Sequence, residues 1–324
     1  MTELTQALTQ QAKEQKVSIE SLISFNYRFK NIRDISPLKK LTKLKYLDLI
    51  GNEISDLSPL QNLRDLELLT LTYSNITDLT PLQKLTKLEQ LLLCDAQITN
   101  LSPLKNLNKL TNISLGSNAK LIDYSLLLDL PKLESISLWS NPQIKNFTPL
   151  QKIKKMVSLD LNCNQLKDIS FLENLTNLRW LDLDYNKIED IACLQNLTKL
   201  ETLRIGDNPI KDYSPIHHLP HLKVLDLSET QDHDYSWVQN LSGLTCISLD
   251  DCGITDISFL KNLPQLQQLY LSNNNISDVS SLTELKHLTW LWIDNNQVAE
   301  DDMYVQTLRE RGIRVTIKGA SCGI

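Results

Sequence analysis

Acidic and aromatic side chains alternate with leucines in the segment WLDLDYN, residues 180–186. Trp180, Asp182 and Asp184 take every second position, so in a strand they would share one face while Leu181 and Leu183 take the other. Carboxylates grouped in this way could supply oxygen ligands to Ca²⁺ or attract a cationic partner. Because a flat sheet spreads its carboxylates instead of wrapping them round an ion, the pattern favours a docking surface over a metal site.

Other residues capable of chemistry lack an arrangement that would use them. His217, His218 and His221 lie beside a proline in HHLPHL, where no helix would present two imidazoles on one face. The sequence has no Ser/His/Asp or Cys/His arrangement with an orienting motif. We therefore predict a protein that is not an enzyme and that holds no metal or cofactor.

The six cysteines show neither CxxC nor metal-ligand spacing, which predicts free thiols in a reducing compartment. The start, MTELTQALTQQAKEQK, has no apolar run of signal-peptide length, and nowhere do 18 apolar residues run together. The net charge of −6 is mild and provides no basic stripe for a phosphate backbone. We expect a cytoplasmic monomer that binds neither membrane nor nucleic acid.

A fixed period organises the chain of 324 residues. Leucine or isoleucine opens twelve successive units of 22 or 23 residues, beginning at Leu41, and each follows L-x-x-L-x-x-L-x-L-x-x-N-x-I-x-D-[LI]-S-P-L more or less closely. One unit cannot bury its leucines alone, whereas stacked units can. The period therefore predicts an α/β solenoid, an arc with a parallel sheet on its concave side and 3-10 turns on its convex side.

Three polar slots of the unit have structural interpretations. We expect aspartates to cap the outer turns, prolines to fill a turn position soon after, and the asparagines of the N slot to bond backbone groups inside the coil. The capping aspartates are Asp56, Asp78, Asp168, Asp190, Asp256 and Asp278. The slot asparagines are Asn52, Asn118, Asn141, Asn164, Asn186, Asn208, Asn274 and Asn296.

The predicted organisation has three parts. Residues 1–18 form a capping helix, residues 19–300 contain one degenerate unit and the twelve regular units, and residues 301–324 form a cap of helix and final strand. With both ends of the leucine core covered, we expect the chain to be complete.

The unit LTKLKYLDLIGNEISDLSPL resembles the leucine-rich repeats, and among them the 22-residue bacterial type of the internalin family. The resemblance covers about nine tenths of the chain. It implies a scaffold that binds protein, in that family a host receptor. Two alternatives stay open: a regulatory subunit of an enzyme such as a phosphatase, and a signal-less secreted effector that binds a host protein.

The outward positions of the strands, with the residue that follows each, carry 11 acids and one base, although the whole chain has 39 acids and 33 bases. Four of the five tryptophans also lie there. Acids with tryptophan and tyrosine are typical of a surface for a basic protein partner, although several aspartates could be template residues of a solvated scaffold. The predicted partner-binding residues are Trp139, Asp160, Trp180, Asp182, Asp184, Tyr185, Arg204, Asp226, Asp250, Tyr270, Trp290 and Trp292.

Overall fold

The computed structural model describes residues 2–230 and 234–317. The chain divides into two compact units, Met1–Asn164 and Gln165–Ile324. Each unit is a stack of coils, and each coil contributes one three-residue strand to a parallel sheet and a 3-10 turn on the opposite side. The predicted solenoid of parallel strands and 3-10 turns is confirmed.

The first unit begins with helix α1, Glu3–Gln15, followed by seven strands. These are β1 Ser24–Asn26, β2 Tyr46–Asp48, β3 Leu68–Thr70, β4 Gln90–Leu92, β5 Asn112–Ser114, β6 Ser135–Ser137 and β7 Ser158–Asp160. Its 3-10 turns are Ile19–Ser21, Ser36–Lys40, Ser58–Leu60, Thr80–Leu82, Ser102–Leu104, Ser125–Asp129 and Thr148–Lys152. Neighbouring strands pair without a slip, as when Tyr46 lies beside Leu68 one repeat later.

The second unit also contains seven strands and one α-helix. The strands are β8 Trp180–Asp182, β9 Thr202–Arg204, β10 Val224–Asp226, β11 Cys246–Ser248, β12 Gln268–Tyr270, β13 Trp290–Trp292 and β14 Arg314–Thr316, and α2 spans Met303–Glu310. The 3-10 turns are Ser170–Leu172, Ala192–Asn196, Ser214–His218, Tyr235–Asn240, Ser258–Asn262 and Ser280–Glu284.

One α-helix lies near each end of the described chain. Helix α1 is capped by Thr2, whose Oγ1 accepts a hydrogen bond from the Thr5 N–H at 3.2 Å, and it buries Leu4 and Leu8. Helix α2 begins after Asp302, a capping residue, and Gly312 follows it in the left-handed region with φ of +82°. Of the helices described, none is both long and apolar enough to span a bilayer.

The aspartates expected to cap the outer turns do so. Each of the six accepts a hydrogen bond at 2.8 Å from the backbone N–H two residues later, which is the first residue of its 3-10 turn. Hydrogen bonds from the hydroxyl and the backbone N–H of the same residue lower the pKa of Asp78 below the ordinary value, and the backbone and hydroxyl bonds do the same for Asp168 and Asp278. Prolines occupy the start of six turns, where their fixed φ suits the backbone.

The slot asparagines form the predicted ladder. The Asn118 side chain donates to the carbonyls of Leu93 and Leu115, each at 2.9 Å, and accepts from the Ile98 N–H at 3.3 Å. Four of the twelve slots hold another residue; at one of them, Thr230, the Tyr235 hydroxyl donates to the Thr230 carbonyl at 2.9 Å. These bonds satisfy backbone groups inside the coil.

Candidate protein-binding surface

Strand alternation and register position the side chains of the candidate surface. We use "sheet face" for the side of the sheet opposite the buried leucines. It contains the side chains that point to that side from each strand and from the three residues after it. Leu181 is fully buried, so its neighbours Trp180 and Asp182 lie on the other side of the strand. Register places Arg204 directly between Asp182 and Asp226 of the adjacent strands. The Arg204 Nη1 lies 3.9 Å from the Asp182 Oδ2, so this arginine pairs with an acid beside it.

Several of the predicted contact residues are less exposed than the sequence suggests. Asp182 is only 4% exposed, and Asp184, Asp226 and Tyr270 are also buried. These side chains lie on the predicted side of the strands, but their neighbours on that side cover them. Strands about 4.8 Å apart bring the side chains of one face into mutual contact, and the long ones cover the short ones.

Aspartates at the strand ends also have a backbone partner that draws them inward. The Oδ1 of Asp182 accepts from the Asp184 N–H at 3.1 Å, and the same bond to the residue two positions later is made by Asp226 at 3.0 Å and, in the first unit, by Asp48 at 3.2 Å. A repeated bond of this kind is a feature of the coil. The interpretation of these aspartates as template residues is thus supported, and they are poor candidates for direct contact with a partner.

Two carboxyl groups of the second unit have strongly raised pKa values. Burial, with the charges of Asp182 and Asp226 nearby, raises the pKa of Asp184 to about 9. Burial likewise raises the pKa of Asp250 to about 6. The Asp184 carboxyl is therefore less ionised at neutral pH than an ordinary aspartate, and the surface is less negative than the simple count of acids implies.

The exposed part of the sheet face is the residue that follows the third outward position of each coil, and we call it the rim position. This rim position has a positive φ in coil after coil, for example 55° at Tyr185 and 57° at Asp251. Tyr185 is 48% exposed, and its hydroxyl donates to the Glu229 Oε1 at 2.7 Å across the intervening coil. Asp207, Glu229 and Asp251 are exposed here as well. These three acids are not among the predicted partner-binding residues. The recurrence of Gly, Asn and Asp at the rim position was the sequence signal that could have identified them.

Aromatic rings form a continuous stack near the end of the second unit. The ring centroids of Tyr270 and Trp292 are 4.1 Å apart, and those of Trp292 and Trp290 are 5.0 Å apart, with the planes nearly parallel. The Arg314 guanidinium lies 4.4 Å from the centroid of the Trp290 ring. Trp290 and Trp292 keep part of their surface exposed. These rings form a rigid apolar and π-rich area on the sheet face.

Two of the twelve predicted residues, Trp139 and Asp160, belong to the first unit. The indole of Trp139 lies flat over Gly116, where a Cβ would approach its Nε1 to 2.0 Å, so only glycine fits beneath it. Asp160 accepts a hydrogen bond from the Ser137 hydroxyl at 2.8 Å. Both side chains are half-buried. The other ten residues are spread over strands β8 to β13 of the second unit and the residues that follow those strands.

The thiols of two sheet-face cysteines, Cys94 and Cys246, are not activated as nucleophiles. Burial raises the pKa of the Cys94 thiol, and it raises that of Cys246 to about 11, so neither is a thiolate at neutral pH. Within residues 2–230 and 234–317, no group of three or more His, Cys, Asp or Glu side chains could hold a metal ion. The arrangement is suited to binding.

Comparisons with known proteins agree with the repeat structure. A profile described as leucine-rich repeats in two copies matches residues 20–62, 198–240, 242–284 and 264–304, and a second leucine-rich repeat profile matches residues 152–210. A search of curated proteins finds no match.

Solved structures with similar folds include several bacterial proteins. The internalin InlF of Listeria monocytogenes is 33% identical, with a TM-score of 0.74, and the match covers 98% of this chain and 95% of that one. The internalin InlC2 of the same organism is 38% identical over 58% of this chain and 83% of that chain, with a TM-score of 0.53. The protein LIC12759 of Leptospira interrogans is 18% identical, with a TM-score of 0.64, over 92% and 85% of the two chains. From its twelve registered coils and these matches, the chain belongs to the leucine-rich repeat family and carries repeats of the internalin type.

Proposed function

We propose that this protein is a non-catalytic scaffold that binds a basic protein segment on the sheet face of its second unit. The leucine-rich repeat fold is that of a protein-interaction scaffold, and the proposal adds the surface and the character of the partner. The partner would lie across the strands from β8 to β13, with its cations toward the exposed rim acids and its apolar groups on the tryptophans.

The observation that carries the proposal is the coincidence of aromatic and acidic side chains on one face of one unit. Trp180, Trp290 and Trp292 are partly exposed on the same face as the exposed acids Asp207, Glu229 and Asp251. Partly exposed aromatic side chains are the residue type that dominates binding energies at protein interfaces. Rim acids attract a basic partner and raise its association rate.

Capture of partners from a cell lysate tests the proposal with two matched variants. The first variant, Trp180→Ala with Asp251→Lys, removes one aromatic ring and reverses one rim charge in the second unit. The second variant, Tyr73→Ala with Asp95→Lys, makes the same changes on the sheet face of the first unit. Asp95 and Asp251 share the rim position and a positive φ, so lysine is equally strained at both.

We expect the first variant to lose a partner that the wild type and the second variant retain, with circular dichroism unchanged in all three. Loss of the same partner by both variants, or by neither, would contradict the proposal. Capture should also weaken as salt is raised, because exposed charges are screened over about 10 Å at 0.1 M ionic strength.

The cellular location proposed with this function is the cytoplasm. The buried thiols of Cys94, Cys246 and Cys252 are consistent with a reducing compartment. Fractionation of the native culture checks this, since recovery of the protein from the medium would favour the alternative of a secreted effector.

A further inference from the structure

Each slot asparagine of the ladder joins its own coil to the coil before it. In the preceding coil, Asn118 donates to the Leu93 carbonyl at 2.9 Å and accepts from the Ile98 N–H at 3.3 Å. Asn274 makes the same two kinds of bond in the second unit, at 2.8 and 2.9 Å. We call such a pair of bonds a rung. Because a rung is buried, its bonds contribute to holding two neighbouring coils together.

Two neighbouring slots of the first unit, Ser74 and Ala96, make no rung. Ser74 is buried, and its Oγ has no hydrogen-bond partner in the described part of the chain. Ala96 has no polar side-chain atom. The two N–H groups that asparagines at these slots would bond, those of Ile54 and Ile76, are buried and find no acceptor among the described residues. The coil that contains Ser74, residues 63–84, is therefore joined to neither neighbour through the ladder.

The second unit also has two neighbouring slots without asparagine, but there other side chains supply bonds. The Cys252 Sγ donates to the Leu227 carbonyl of the preceding coil at 3.2 Å, which is the carbonyl that an asparagine at this slot would reach. The Thr230 Oγ1 donates to the same carbonyl at 2.5 Å and lies 2.9 Å from the Tyr235 hydroxyl. The two interruptions of the ladder are therefore unequal, and the weaker junction lies in the first unit.

Apolar packing and strand pairing do not differ at the weaker junction. Leu71, in the coil of Ser74, is fully buried, and so is Leu115, in the coil of Asn118. Strand β3 pairs in register with both β2 and β4. The stability of a repeat protein is approximately a sum over its coils and the junctions between them. The missing rungs should therefore weaken these junctions without altering the rest of the array.

We propose that the two missing rungs form a break point at which the N-terminal coils open as a separate cooperative segment. The segment comprises helix α1 and strands β1 to β3. Strands β5 to β7, whose coils carry the rungs of Asn118, Asn141 and Asn164, stay folded while the segment is open. The opening is independent of the surface proposed in the second unit, which lies on other coils.

Native-state hydrogen exchange of the full chain, followed by mass spectrometry, tests the break point. We expect the amides of β1 to β3 to exchange through one shared opening, on the order of tenfold or more faster than those of β5 to β7. Fraying from the chain end differs from this, because it would give a gradient of rates from β1 to β3.

Restoring the rungs provides the second arm of the experiment. Ser74→Asn with Ala96→Asn should slow exchange in β1 to β3 by on the order of tenfold, because it supplies the missing bonds. Cys252→Asn is the matched control, since a bond to the preceding coil already exists at that slot. It should change exchange in the second unit by less than about twofold. Ala96→Asn alone, which restores one rung, provides a second variant should the double variant perturb the fold by circular dichroism.

Equal exchange of β1 to β3 and β5 to β7 in the wild type would overturn the inference, as would a gradient of rates from β1 to β3. Unchanged exchange of β1 to β3 in a folded variant with restored rungs would also overturn it. None of these results depends on whether a partner is captured by the second unit.

Discussion

The two units of this protein share one backbone plan and differ in what they present on it. Both place seven short strands in register, cap their outer turns with aspartates and bond their coils with asparagines. On the sheet face, however, the first unit carries three acids and one tryptophan, whereas the second carries eight acids and three tryptophans. Residues that build the coil are therefore common to both units, and the divergent positions are where selection for a partner would act.

The sheet faces of the two units differ less in charge than the count of acids implies, and they differ more clearly in shape. Asp48 in the first unit and Asp182 in the second make the same bond to the backbone, so both belong to the coil. Burial and nearby carboxylates raise the pKa of Asp184, so this acid carries less negative charge than the acid count assigns to it. What stays distinctive of the second unit is the aromatic stack and the exposed rim acids.

Removing a ladder asparagine should produce the largest effect and the same effect in both units. Asn118→Ala in the first unit and Asn274→Ala in the second each leave several buried backbone groups without partners. We expect each to lower the free energy of unfolding by about 3 kcal/mol, measured by urea denaturation. Unequal losses, or losses below about 1 kcal/mol, would mean that the coils of the two units are not equivalent.

Neutralising Asp184 should stabilise the protein in a pH-dependent manner. Its folded-state pKa of about 9 lies above the value of about 4 for an unfolded aspartate, so the folded state loses stability as pH rises between these values. Asp184→Asn should therefore raise the free energy of unfolding by about 2 kcal/mol near pH 8 and by progressively less toward pH 5. Asp48→Asn in the first unit, which removes the pair with Arg28, should give no such gain. A gain at Asp184 that does not grow with pH would contradict this account.

Removing one rim hydroxyl should have the smallest effect and should distinguish the units. Tyr185→Phe deletes the bond to Glu229 and should lower the free energy of unfolding by about 0.5 kcal/mol, since the bond is exposed to solvent. Tyr73→Phe, at the same rim position of the first unit, should change nothing measurable. Thermal denaturation of both variants provides the comparison, and equal shifts would show that the Tyr185 bond has no energetic role.

The sequence period was sufficient to predict the coil, because every buried leucine, capping aspartate and ladder asparagine recurs at a fixed position. Burial depth on the sheet face was not predictable in the same way. Alternation assigns Asp182 and Asp294 to a face, but how far neighbouring side chains cover them depends on rotamers and on the rings beside them. The positive φ of Tyr185 was also hidden, since tyrosine does not favour that conformation. The hydrogen bond between the Tyr235 hydroxyl and the Thr230 Oγ1, at 2.9 Å, was not predictable either, because Tyr235 does not belong to the repeat pattern of the slot.

Hydrogen exchange of the backbone amides with and without the captured partner tests the central claim most directly. If the partner binds the sheet face of the second unit, added protection should concentrate in strands β8 to β13 and in the rim residues after them, with strands β2 to β7 unchanged. Protection centred on the first unit, or on the 3-10 turns of either unit, would contradict the account.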